Sequence, residues 1–260
     1  MENISLEKES KLVVCLRRLF PYFVILSGVL LLLLQSLFAP GAGKAPSWDD
    51  SSIYNYVGWL MNQGFTPYID IRDSKGPVFY FMEMLGIYGG TLSLWVFEGI
   101  LLFIAFLFCY KMFKMHVNKN IAIFSTLFII ISTVFIFDRG NMVEEFALPF
   151  CFIALYILAK YPLQNYSLKI HQILILGGTF GAVLLMRPNI PMLWLAFCFV
   201  ILVHSIIIKK YKRLLIYPLT FILGVAIIML PFIIYLVANG ALAAYIDRTM
   251  FIKSGFVPCR

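Results

Sequence analysis

Long apolar runs broken by short polar punctuation set the pattern of this chain. Seven runs are extended enough to read as membrane helices, at roughly 19–38, 91–110, 121–137, 145–159, 170–186, 191–208 and 214–237. In a bilayer every backbone polar group must be satisfied within its own segment, so such runs predict helices rather than loops or open strands. A shorter run, Pro77 to Gly90, carries Glu83 and reads as a re-entrant or interfacial helix, with a full span as the alternative. Between the first and second long runs lies a connection of about 50 residues, far longer than the usual 12–15-residue limit for a structureless loop. Within it, Ile53, Tyr54, Val57, Leu60 and Met61 recur at helical spacing from Ser51 to Asn62. That stripe predicts a short helix on the membrane surface, with Ser51 or Asp50 as its N-cap.

Composition agrees with the pattern. The 260 residues are 62% hydrophobic and 13% charged, against about 25% charged in an ordinary soluble domain. No soluble surface can be made from such a chain. The expected fold class is therefore all-α: a polytopic membrane protein with about seven transmembrane helices and an outer loop holding a juxtamembrane helix, in one module over 1–260. Lys11, Arg17 and Arg18 precede the first run, which is long enough to act as an uncleaved signal anchor behind an 18-residue cytoplasmic tail.

Charge orients the bundle. With the N-terminus in the cytoplasm, thirteen lysines and arginines fall on the inner side and eight on the outer, the sign of the positive-inside rule. The basic clusters at 111–119 and 209–213 both face inward. If 77–90 were a full span, these clusters would face outward, so seven spans are preferred. The expected location is the plasma membrane, with the lipid bilayer as partner. The net charge of +8 is explained by these loops, and nucleic acid is not expected as a partner. Five scattered cysteines and three isolated histidines offer neither a disulfide framework nor a zinc site.

Acids and turn residues concentrate in the outer connections. Trp48-Asp49-Asp50-Ser51-Ser52-Ile53-Tyr54 opens the predicted surface helix, and Asp49 and Asp50 are each candidates for a general base, a metal-linked carboxylate or a helix cap. Lys75-Gly76-Pro77 puts a cation at a helix start, where free N–H groups favour a phosphate; the plainer reading is an interfacial lysine. Asp138-Arg139-Gly140-Asn141-Met142-Val143-Glu144-Glu145 sets acids close to hydrocarbon, where Arg139 is the expected partner. Arg187-Pro188-Asn189 is a third outer turn, with Arg187 a candidate phosphate clamp or interfacial anchor. Glu98, inside a predicted span, is expected to pair with Lys75 or Arg187 if it is not functional. Packing these turns together would ring one outward cavity with carboxylates and cations, suited to a sugar hydroxyl and a phosphate-bearing donor.

Asp50-Ser51-Ser52-Ile53-Tyr54 followed by Gly64-x-x-Pro67-Tyr68-x-Asp70-x-x-Asp73-x-Lys75-Gly76-Pro77 resembles the first outer loop, here 39–76, of GT-C-type membrane glycosyltransferases. The nearest groups are bacterial enzymes similar to protein O-mannosyltransferases and lipid A aminoarabinose transferases. Asn141-x-x-Glu144-Glu145-x-x-x-Pro149 resembles their second outer loop, and Arg187-Pro188-Asn189 a further turn. The resemblance implies Asp50 as the catalytic acid, with Asp49 beside it, and Lys75 and Arg187 on the donor phosphate. Tyr54, Tyr68, Asp70, Asp73, Asp138, Asn141, Glu144 and Glu145 would support the loops. It implies transfer of a sugar from a polyprenyl-phosphate donor to an extracytoplasmic acceptor of the cell envelope, usually with inversion. No cofactor is required by this reading, though an acid at the site is able to hold a divalent cation. Members of that superfamily are about twice this length, so the chain is expected to be an N-terminal portion holding the donor half of the site. Two other readings stand beside it: a transporter or flippase of lipid-linked sugars, and a non-catalytic membrane assembly subunit.

Overall fold

The computed structural model describes residues 2–42, 49–135 and 139–250. These form ten α-helices: α1 (Glu2–Leu33), α2 (Asp50–Asn62), α3 (Pro77–Ile87), α4 (Thr91–Phe113), α5 (Lys119–Val134), α6 (Val143–Leu163), α7 (Ile170–Leu184), α8 (Met192–Ile207), α9 (Tyr211–Ala238) and α10 (Leu242–Met250). Each of the long apolar runs is a helix, as the backbone demands in hydrocarbon. The first starts much earlier than its apolar part, because α1 continues from Glu2 through the basic residues, and it ends at Leu33, short of the predicted Phe38. The surface stripe is α2 and the Glu83-bearing run is α3; α10 has no counterpart among the expected elements.

Among the described residues, four helical segments are long and apolar enough to cross a membrane: Val13–Leu33, Thr91–Phe113, Val143–Leu163 and Tyr211–Ala238. α3, α5, α7 and α8 are shorter apolar helices. Large side chains such as Phe23, Leu31, Phe124, Phe128, Phe199, Leu215 and Ile234 are exposed. A soluble protein would hide so much apolar surface, whereas hydrocarbon tails cover it at no cost. The fold is that of a helical membrane protein.

Two buried clusters hold the bundle. One joins α1, α4 and α5 through Ile25, Val29, Leu102, Phe106, Ile123 and Ile130. The other joins α2, α3, α6, α7, α8, α9 and α10 through Tyr54, Phe79, Phe146, Val183, Trp194, Leu236 and Tyr245. α4 touches both, packing on α1, α3, α5 and α6, and Trp95 on it donates to the carbonyl of Leu33 at 3.0 Å. The tightest helix pair is α7 with α9. A Cβ on Gly177 would lie 2.0 Å from the Phe221 carbonyl oxygen, and one on Gly224 would lie 2.2 Å from that of Leu174. The two backbones are therefore in contact, the usual device for associating helices in lipid.

The connections gather at two ends. At one, Leu37 N donates to Arg139 O, Gly76 N to Met186 O, and Arg248 to Ile71 O. At the other, Lys119 donates to Arg17 O and Arg213 to Tyr166 O.

Candidate functional site

The first end is built from α2 outward. Asp49 has extended backbone (φ −78°, ψ 136°) and its Oδ1 accepts from Ser51 N at 2.9 Å, so Asp49 is the N-cap. The cap is thus one residue earlier than Asp50 and two earlier than Ser51, because a capping side chain must hang from the extended residue before the first turn. Capping by Asp49 leaves Asp50 inside the first turn and exposed. One turn on, the buried Tyr54 donates its hydroxyl to Asp50 Oδ2 at 3.0 Å. Burial, and then the bond to Asp50, push the Tyr54 phenol well above its ordinary range. It remains a donor to Asp50 at any working pH.

The Tyr54 ring has two further neighbours. It packs edge-on against Phe79 at 5.1 Å, and Lys75 Nζ lies 5.3 Å from its centroid, within cation–π range. Tyr54 therefore touches the candidate acid with its hydroxyl and the candidate cation with its face. The backbone of Lys75 is clamped as well: its carbonyl accepts from Tyr68 Oη at 2.7 Å and its N–H donates to Tyr80 Oη at 3.2 Å. Tyr68 is held at φ 73°, an uncommon conformation for a bulky residue, between the rings of Tyr80 and Tyr245. Burial first, then Tyr245 and Asp73, push its phenol up. Asp73 accepts from Ser74 N and from the Tyr80 hydroxyl. Asp70 accepts from Thr66 N at 2.7 Å and shapes an exposed turn.

Gly76 brings in the third turn. Its N–H donates to Met186 O at 2.9 Å, and a Cβ there would lie 1.7 Å from Leu185 O, so only glycine admits this approach. The next residue, Arg187, pairs with Glu144 in the first turn of α6, both half-exposed. A guanidinium has five donors, more than one carboxylate accepts. The structure thus brings Asp50, Tyr54, Lys75, Asp73, Arg187 and Glu144 to one rim. Asp138 lies outside the described residues, as do Lys44 and Trp48.

Asn141 and Glu145 are not on the rim but beneath it. Arg139, Gly140 and Asn141 all have positive φ (62°, 87° and 62°). This left-handed run aims the Asn141 N–H at Glu98 Oε1, 2.7 Å away. Glu98 also accepts from Ser36 Oγ at 3.2 Å and contacts Glu145. It does not pair with Lys75 or Arg187, because it points into the bundle and their side chains turn to the rim. Asn141 Nδ2 donates to Glu83 Oε2 at 3.3 Å and to Ser51 O at 3.2 Å. Glu145 Oε2 accepts from Met142 N at 3.3 Å. Three buried carboxyl groups, Glu83, Glu98 and Glu145, therefore share one network with Asn141, and none has a cation against it among the described residues. Burial pushes the Glu83 carboxyl well above its usual range; its Asn141 bond opposes this and Glu98 adds to it. Glu83 Oε1 and Asn141 Oδ1 have no hydrogen-bond partner among the described residues.

Sequence reasoning missed Tyr80, Tyr245, Arg248 and Ser36. None carries a local signal, since each acts on a segment far away in the chain. Glu83 did carry one, as a lone acid in an apolar run. The described residues contain no group of three His, Cys, Asp or Glu placed to hold a metal ion.

An all-helical bundle with lipid-facing apolar surface and a polar rim at one end defines the class, a helical membrane protein. The chain matches the family described as "Putative competence-induced protein Ccs4 N-terminal domain" over residues 18–258, and it belongs to that family. No curated protein and no solved structure matches it.

Proposed function

We propose that this protein is a GT-C-type membrane glycosyltransferase module that takes a sugar from a polyprenyl-phosphate donor to an acceptor outside the cell membrane. The supporting observation is the Tyr54 bridge: one buried side chain holds Asp50 by its hydroxyl and Lys75 by its ring, with Arg187 docked alongside through Gly76. In this reading Asp50 takes the acceptor's proton as its hydroxyl attacks the anomeric carbon. Lys75 and Arg187 stabilise the negative charge on the departing phosphate. Tyr54 fixes the distance between base and cation. The proposed topology has seven spans (α1, α4, α5, α6, α7, α8 and α9), the N-terminus in the cytoplasm and the Asp50 rim outside.

The test is transfer from a radiolabelled polyprenyl-phosphate sugar by the purified chain in detergent. Asp50→Asn is expected to abolish transfer, a loss of at least about 100-fold for removing a general base, with thermal stability unchanged. Lys75→Ala is expected to weaken donor binding. Transfer that survives Asp50→Asn undamaged removes Asp50 as base.

One observation favours a second reading, a transporter or flippase of lipid-linked sugars. The Glu83, Glu98 and Glu145 network lies inside the bundle, where ionisable groups mark transport paths. Under that reading Glu98→Gln stops movement of the lipid across a vesicle membrane and Asp50→Asn does not.

A further inference from the structure

We propose that the cavity at the opposite end of the bundle is a binding site for the phosphate group of an anionic phospholipid. This cavity of about 440 Å³ is lined by Arg17, Arg18 and Tyr22 of α1, Tyr110 of α4, Lys114 at the C-cap of α4, and Lys119 at the start of α5. From Arg17 to Leu33 is 16 residues of one helix, so it lies about 24 Å from the Asp50 end. It is independent of the transferase reading.

Four cations from α1 and the ends of α4 and α5 converge there, and among the described residues no Asp or Glu lines the cavity. The nearest acid on α1, Glu9, precedes Arg17 by eight residues, about 12 Å along the axis. Like charges brought together without an acid repel, so the arrangement calls for an anion. The basic α8–α9 turn is different. There Arg213 donates to Tyr166 O at 2.6 Å and lies 5.9 Å from the Tyr217 ring. A protein acceptor takes that guanidinium, whereas among the described residues Arg17, Arg18 and Lys114 of the cavity have no hydrogen-bond acceptor, Lys114 lying 5.9 Å from the Tyr110 ring. In the cavity Lys119 donates to the Arg17 carbonyl, which ties α5 to α1 and leaves the guanidinium on the wall. Tyr22 and Tyr110 pack edge-on at 6.3 Å, fixing α1 to α4.

The position selects a lipid over other anions. The apolar span Val13–Leu33 begins at the cavity, which places the cations at the depth of lipid phosphates. Val14 and Leu19 line the same space, and Leu16, Phe20 and Phe23 are exposed nearby on α1. A headgroup phosphate would meet the cations while its acyl chains lie along α1. The volume is in the range of small-ligand sites.

The test uses the full chain in a neutral detergent, with bound lipid counted by native mass spectrometry and thermal unfolding followed in parallel. Phosphatidylglycerol is expected to bind and raise the unfolding temperature, and phosphatidylcholine to do neither. Arg17→Gln with Lys114→Gln is expected to weaken phosphatidylglycerol binding about 30-fold, taking a typical contribution for each cation. Lys209→Gln with Lys210→Gln, at the same end but outside the cavity, is expected to leave it unchanged. If the first double variant does not fold, Arg17→Lys keeps the charge, and retained binding in it supports the site. Equal binding by both double variants would overturn the site. The same shift from inorganic phosphate alone would overturn the lipid assignment.

Discussion

Tyr54 and Asn141 each hold two distant groups with one side chain. Tyr54 does so at the rim, and Asn141 beneath it, where its backbone and amide reach Glu98, Glu83 and Ser51. Glu83 is the residue whose charge state can be tested directly. Its folded pKa is raised above its ordinary 4.5 by burial, so the folded state holds the proton more tightly than the unfolded chain. The stability this adds is complete below pH 4.5 and is lost as pH rises through the folded value, at up to about 1.4 kcal/mol per pH unit. A proton on Glu83 also turns one of two unpartnered acceptors into a donor. Glu83→Gln, which cannot ionise, should therefore flatten the fall in unfolding temperature with rising pH. An unchanged pH profile in that variant would show that Glu83 does not carry the proton. In the sequence the local chemistry of Asp49 and Asp50 is the same; the cap is expected at Ser51 or Asp50, and only the resemblance favours Asp50 over Asp49 as base. The backbone angle at Asp49 decides the cap.

Helix existence was legible because apolar runs in hydrocarbon have one solution for their backbone. Helix ends were not, as α1 shows: at its N-terminus polar residues extend the helix without changing the apolar pattern, and at its C-terminus the apolar run continues past Leu33 into turns. The partners of each helix were also hidden. The spacing of Gly177 and Gly181 is a readable sign of close helix contact, yet nothing local says that the partner is α9 at Gly224. Valine at Gly177 or Gly224 would drive a side chain into the opposing backbone. Either substitution is expected to cost at least about 2 kcal/mol, measured by unfolding in detergent, while Leu215→Val on the exposed face of α9 should cost little. Tolerance of both valines would mean that α7 and α9 are not in backbone contact.

At the scale of the molecule, the bundle has two chemically different ends: an acid-bearing rim around Asp50 and a basic mouth around Arg17 and Lys119. The seven-span topology predicts that they face opposite sides of the membrane. With the native cysteines replaced, Gln63→Cys and Lys210→Cys are expected to react with an impermeant thiol reagent from opposite sides of sealed vesicles. Labelling of both from one side would remove the proposed outward donor site. By itself the sequence determined the class, because 62% hydrophobic residues in long runs leave no other solvent than lipid. It also marked the rim's charged residues, because charge in such a chain must stay wet or paired. Only the tertiary structure decided which of those charges meet. It put Glu144 on the rim with Arg187 and its neighbour Glu145 in the core with Glu98, because successive helical residues project about 100° apart and the bundle covers one direction but not the other.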